Sequence, residues 1–258
     1  MTKQPDKVNR LIQGGAEIAG GAIGGALGFL AAGPAGAAAL GAGGAGAAMA
    51  FKRIGLEVSE RLLGPRERVR LGGVLALAAA RIHQRVEGGE MVRQDGFFER
   101  SDDGRTDGEE VVENLLMKAQ REPEERKLPY MSKLLANIAF DVSIGSELAH
   151  QLIKVAEQLT YRQLCLLKVG AVRNQLALRA GDYRGQKTFP KELYQILYEC
   201  HDLYQRGLVN FGGDVAFGPT DIKPGAMTLQ GLGADLFNVM GLGEIPEADL
   251  VPIVAQLR

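Results

Sequence analysis

Between Ile18 and Phe51 the chain has no ionisable side chain at all. The stretch reads IAGGAIGGALGFLAAGPAGAAALGAGGAGAAMAF, 34 residues with eleven glycines, and alanine supplies most of the rest. Chemistry is scarce elsewhere as well. There are two cysteines, Cys165 and Cys200, both in apolar helical surroundings, which reads as two reduced, buried thiols. The three histidines, His83, His150 and His201, stand apart. Cys165, Cys200, His150 and His201 do not follow a metal-ligand spacing. No Gly-Lys-Ser/Thr phosphate loop occurs, and no nucleophile–base pair can be read. Gly41-x-Gly43-x-x-Gly46 spells a dinucleotide fingerprint but has no strand before it and lies where glycine is dense. The acids Asp102, Asp103, Asp107, Glu109 and Glu110 do not match a calcium loop and read as a solvated turn. The expectation is a non-enzyme with no metal, no cofactor and no small-molecule substrate. A net charge of −1 gives no overall bias toward nucleic acid.

The uncharged run is a membrane candidate by length. Glycine costs about 1 kcal/mol per helical position relative to alanine, so the run makes a poor ordinary core. Small residues do let helix backbones approach closely, which drives helix association in lipid. Gly20, Gly24 and Gly28 recur every four residues, as do Gly21 and Gly25, forming one broad glycine face. These five are the expected helix-packing and oligomerisation residues. As one helix the run would be about 50 Å long against about 30 Å of hydrocarbon. Gly33-Pro34 breaks it in the middle. A helical hairpin follows, with arms 18–32 and 35–51 of about 22 and 26 Å. Two other readings of the run are a flexible linker and a signal peptide. A linker would carry more serine and charge, and a signal peptide has a shorter apolar region.

Basic residues flank the run. Lys52 and Arg53 follow it directly and are the expected membrane-surface residues. Residues 52–85 hold eight Lys/Arg against three acids, a pattern attracted to anionic lipid. Residues 86–128 reverse the sign, with seven bases and thirteen acids. One reading makes that acidic stretch a shield over the basic segment at rest; the other makes it a solvated helical surface.

The remainder reads as helices with loops. Expected helices are 54–63, 69–86, 109–121, 124–140, 146–159, 161–178 with Thr160 as N-cap, 189–206, and a last one from near Thr228 to Met240. Residues 88–108 read as a loop or hinge. Leu208–Phe211 and Val215–Phe217, around Gly212-Gly213-Asp214, read as a β-hairpin. Fold class is therefore mainly α: a Gly/Ala-rich amino-terminal helical hairpin (1–53), a helical domain (54–158), and a small α+β carboxy-terminal module (159–258).

The order helix, helix, β-hairpin, closing helix resembles a winged-helix module. Its candidate recognition helix presents Lys191, Glu192, Tyr194, Tyr198, Glu199 and Asp202. Phosphate contact needs a basic surface, and base reading needs outward Arg, Lys, Asn or Gln. Neither is prominent, so protein contact is expected in place of DNA. In addition, LPYMSKLLANIAFD followed by SELAHQLIKVAEQLTYRQLCLLKVGA, over about 127–170, resembles the abortive-infection alpha-type proteins of bacterial phage defence. That resemblance implies a defence effector harmful to its own host, with no catalytic residues to carry over.

These readings combine into one expectation. The chain is a cytoplasmic effector that inserts into the inner membrane and self-associates through its glycine-rich hairpin. The soluble body restrains it, with a regulatory protein as a possible partner. The alternative is a soluble adaptor or DNA-associated regulator whose glycine segment is an oligomer interface.

Overall fold

The computed structural model describes residues 46–58, 61, 63–99 and 104–258. Gly20, Gly21, Gly24, Gly25 and Gly28, and with them the expected hairpin up to residue 45, lie outside the described residues. The described chain is mainly helical with one small two-stranded antiparallel sheet. It divides between Gln158 and Leu159 into two compact units.

In the first unit, a helix over 46–58 crosses from the uncharged run into the charged sequence without a break. The step at 53/54 is therefore interior to one helix, and the last residues of the run belong to the body. Then come α1 (Pro65–Glu87), α2 (Asp107–Arg121), α3 (Leu128–Ile138) and α4 (Ser146–Gln158). Helix α1 starts with Pro65 in its first turn, where a missing N–H costs nothing. It buries Leu71, Val74, Leu75, Ala78, Ala79 and Ile82 at helical spacing. Its main partners are α3 and α2, and α2 also packs on α4. Helix α2 begins with a capping box: Thr106 Oγ1 accepts from Glu109 N at 3.1 Å, and Glu109 Oε2 accepts from Thr106 N at 3.2 Å.

The stretch after α1 is a packed loop. Val92, Phe97 and Phe98 are buried. Buried Arg93 donates to the carbonyl of Ile144 at 2.7 Å and to Asp95 Oδ1 at 2.8 Å, and its guanidinium lies 4.0 Å from the Phe97 ring centroid. A hinge would leave such groups to water. A second buried charge, Lys127, donates to Glu122 Oε2 at 2.6 Å and to the Glu157 carbonyl at 3.0 Å. Both charges are paired, as burial requires.

The second unit is arranged around α5 (Tyr161–Val172), capped by Thr160. Around it stand α6 (Lys191–Gln205), α7 (Leu232–Val239) and α8 (Glu247–Gln256). Strand β1 (Val209–Phe211) pairs with β2 (Met227–Leu229), in the register Val209↔Leu229, Asn210↔Thr228 and Phe211↔Met227.

Several expectations change here. The second strand is 227–229, and 215–217 form no strand. Gly212 and Gly213 do turn the chain, with φ of 72° and 88°. Beyond them, however, the backbone groups are spent elsewhere: the Ala216 carbonyl accepts from His201 Nε2 at 3.2 Å, and Phe217 N donates to Asp221 Oδ2 at 2.8 Å. Thr228 is thus a strand residue, and the helix expected there starts at Leu232 after Gly231, whose φ is 46°. Helix α5 stops at Val172, short of 178. Helix α8 was not legible, because Pro252 sits inside it.

Candidate functional site

The described part of the molecule nearest the glycine-rich run is helix 46–58, and two of its faces differ sharply. Ala47, Ala50, Phe51, Ile54 and Val58 are buried, with Phe51, Ile54 and Val58 fully so. This is the i, i+3, i+4, i+7 spacing of a docked amphipathic helix. The other face presents Lys52 and Met49, the latter 69% exposed. Gly46 lies against the loop: a Cβ there would stand 2.8 Å from the Phe98 carbonyl oxygen. On its far side the Phe98 ring covers Gly108, where a Cβ would fall 2.2 Å from the ring. Two glycines therefore let the helix, the loop and α2 come together around one phenylalanine.

Charges close the same contact. Arg53, Glu57 and Arg61 are spaced four apart, and so are Arg105, Glu109 and Glu113. The two series pair across. Arg53 Nη1 donates to Glu109 Oε1 at 3.0 Å and to Oε2 at 3.3 Å. Arg105 bridges Glu57, at 2.5 Å, and Glu113, while Arg61 reaches Glu113 as well. Farther along, Glu125 accepts from Arg70 Nε at 3.4 Å and forms an ion pair with Arg66 at 3.5 Å. Burial pushes the Glu113 carboxyl up, but the hydrogen bond from Arg61 and the charge of Arg105 outweigh it and hold it below the usual range. Burial likewise lowers Arg105, and Glu57 and Glu113 more than compensate.

Magnitudes rank the two contributions. Fully burying Phe, Ile or Val contributes about 1.5–3 kcal/mol each. Partly exposed ion pairs contribute about 0–1 kcal/mol each, and Arg53 and Arg61 keep 42% and 38% of their side-chain surface open. The apolar face holds the helix; the ion pairs select where it sits.

Of the expected membrane-surface residues, Lys52 is exposed and Arg53 is drawn to Glu109. Glu109, expected in a solvated turn, is instead 5% exposed. The four-residue spacing of charges at 53/57/61 and 105/109/113 is the signal available for this pairing.

In the second unit, an open groove of about 500 Å3 lies between α5 and α6, lined by Thr160, Arg162, Gln163, Tyr194, Tyr198 and Asp202 among others. Arg162 grips Glu199 with two hydrogen bonds, at 2.7 and 2.9 Å, and Gln163 donates to Asp202 at 2.7 Å. Tyr194 and Tyr198 remain 46% and 60% exposed. Glu199 and Asp202 of α6 thus have partners inside the unit, beside the exposed rings of Tyr194 and Tyr198. The histidines are engaged separately: His83 with Glu87, His150 with Asn114, His201 with Ala216. Among the described residues no group of three His, Cys, Asp or Glu could hold a metal ion. Both cysteines are buried and neither is in a disulfide, and burial pushes the Cys200 thiol up to about 12.

Among the described residues no helix is long and apolar enough to cross a membrane. No protein-family profile matches the chain, and no curated protein or solved structure does either.

Proposed function

We propose that this chain is a membrane-disrupting effector of bacterial phage defence. Its glycine-rich segment inserts and self-associates as a helical hairpin, and the helical body restrains it. The observation that carries this reading is the docking of helix 46–58. It includes the last six residues of an uncharged 34-residue run, yet it buries an apolar face in the first unit and pairs Arg53 with Glu109 of the acid-rich α2. The cell compartment is the cytoplasm with access to the inner membrane, and the ligand is the bilayer itself. No cofactor, metal or small-molecule substrate enters the scheme.

The carboxy-terminal unit has the helix, helix, strand, strand, helix order of a winged-helix module, with residues 212–226 as its wing. It serves protein contact or internal support. The resemblance of residues 127–170 to abortive-infection alpha-type proteins supports the defence setting. A second reading, a soluble adaptor with the glycine run as oligomer interface, is favoured by the exposed Tyr194, Tyr198 and Phe217 of that unit, the last 84% exposed.

Fractionation of cells expressing the full chain separates the two. The effector pellets with membranes and resists salt extraction, and Gly24→Leu or Gly28→Leu retains binding while losing self-association and toxicity. An adaptor stays in the soluble fraction. Release by salt means surface adsorption through the basic flank.

A further inference from the structure

We infer that helix 46–58 is a latch, opened when an anionic lipid surface takes Arg53, and Arg61 just after it, from the carboxylates of the body. This rests on the membrane-effector reading and names the partner and the regulation of that same segment.

The geometry of the run creates the need for a latch. The second arm of the hairpin is residues 35–51. Its last part is already used: Ala47, Ala50 and Phe51 are buried in the first unit. While they stay there, residues 35–45 alone would give a helix of about 16 Å, roughly half of the hydrocarbon thickness of about 30 Å. Completing the arm therefore requires helix 46–58 to leave its seat.

Leaving exposes Phe51, Ile54 and Val58, which water opposes. A bilayer removes that opposition, because the same side chains pass from one apolar setting to another. A ligand shifts a two-state balance only through its differential interaction with the two states. With the apolar terms offsetting, the difference lies in the charges. Docked, Arg53 and Arg61 face Glu109 and Glu113. Undocked at a membrane, the same guanidiniums meet lipid phosphates, which they bind as forks. Lys52 is exposed in the docked state and Arg53 keeps 42% of its side-chain surface open, so positive charge is presented before release. Free phosphate offers the charge without the apolar phase and cannot replace the membrane.

Seating depends on Gly46 as well as on charge. A Cβ at this position meets the Phe98 backbone at 2.8 Å. Gly46→Ala thus loosens the latch without changing its charge. Glu109→Gln with Glu113→Gln loosens it by the other route and keeps an oxygen acceptor for the α2 cap.

The test is dye release by the full chain from phosphatidylcholine vesicles with and without phosphatidylglycerol. The wild-type protein should release dye with phosphatidylglycerol present and far less without it. The double Gln variant should need about fivefold less protein for each arginine freed, and Gly46→Ala should shift in the same direction. Equal wild-type activity on both vesicle types, or variants indistinguishable from an active wild type, overturns the latch and leaves the hairpin reading standing. Failure of all three proteins on both vesicle types overturns the hairpin reading and the latch with it.

Discussion

Arg53 Nη1 stands 3.0 Å from Glu109 Oε1, and the same carboxylate accepts from Thr106 N at 3.2 Å. One side chain thus caps α2 and fastens helix 46–58 to it. Local helix formation and tertiary docking share a group, so the body forms its own docking site when α2 folds.

The apolar face carries most of the docking, so Phe51→Ala should cost about 3–5 kcal/mol of it. Phe51 is fully buried. Hydrogen exchange on the full chain checks this: amides of 46–58 should lose protection, while those of α1 and α3 keep it. Unchanged protection at 46–58 would show that the ion pairs hold the helix.

The ion pairs make a pH dependence of definite sign. The folded Glu113 carboxyl lies below its ordinary value. Its contribution is therefore fully present above the unfolded glutamate value of about 4.3 and is lost as pH falls through the folded value. Thermal unfolding followed from neutral pH downward should show a flat region, then a fall in the acid range. Glu113→Gln should remove part of that fall and leave the neutral region lower.

In the second unit the tightest packing is backbone on backbone. A Cβ on Gly233 would stand 1.9 Å from the Leu208 carbonyl oxygen and 2.7 Å from its carbon. Gly233→Ala should destabilise this unit by about 1–3 kcal/mol. Gly243→Ala meets only the Phe237 ring edge at 3.7 Å and should be near neutral. Urea titration of the two variants gives the comparison.

DNA binding should be absent. Arg162 of α5 is held by Glu199, and Arg206, just past α6, by Asp202 at 2.8 Å. Helix α6 itself carries Lys191 against Glu192, Glu199 and Asp202, so this face offers little free positive charge to phosphate. A gel-shift titration of the full chain at physiological salt should show no duplex shift. Submicromolar binding that weakens steeply with salt would put the regulator reading first.

The elements with clear apolar period were legible in the sequence. Leu71, Val74, Leu75, Ala78 and Ile82 define α1, and Thr160 marks the start of α5. What stayed hidden depended on distant partners. Phe211 pairs with Met227, while the Ala216 carbonyl and the Phe217 N–H are engaged elsewhere, and no local signal reports either. Phe51 reads as the end of a membrane arm, since the contacts that seat its helix, Gly46 on Phe98 and Arg53 on Glu109, lie far along the sequence. The charge spacing of Arg53, Glu57 and Arg61 was readable, but its match with Arg105, Glu109 and Glu113 needed the fold.

The central claim is that the glycine-rich run acts on membranes. Removing residues 14–45 tests it most directly, since this spares Ala47, Ala50 and Phe51, which the body needs. The measurement is a membrane-potential dye in cells induced to express either the full chain or the shortened one. The full chain should collapse the potential and stop growth, while the shortened chain, at equal abundance, should leave both intact. Collapse by both, or by neither, would contradict the account.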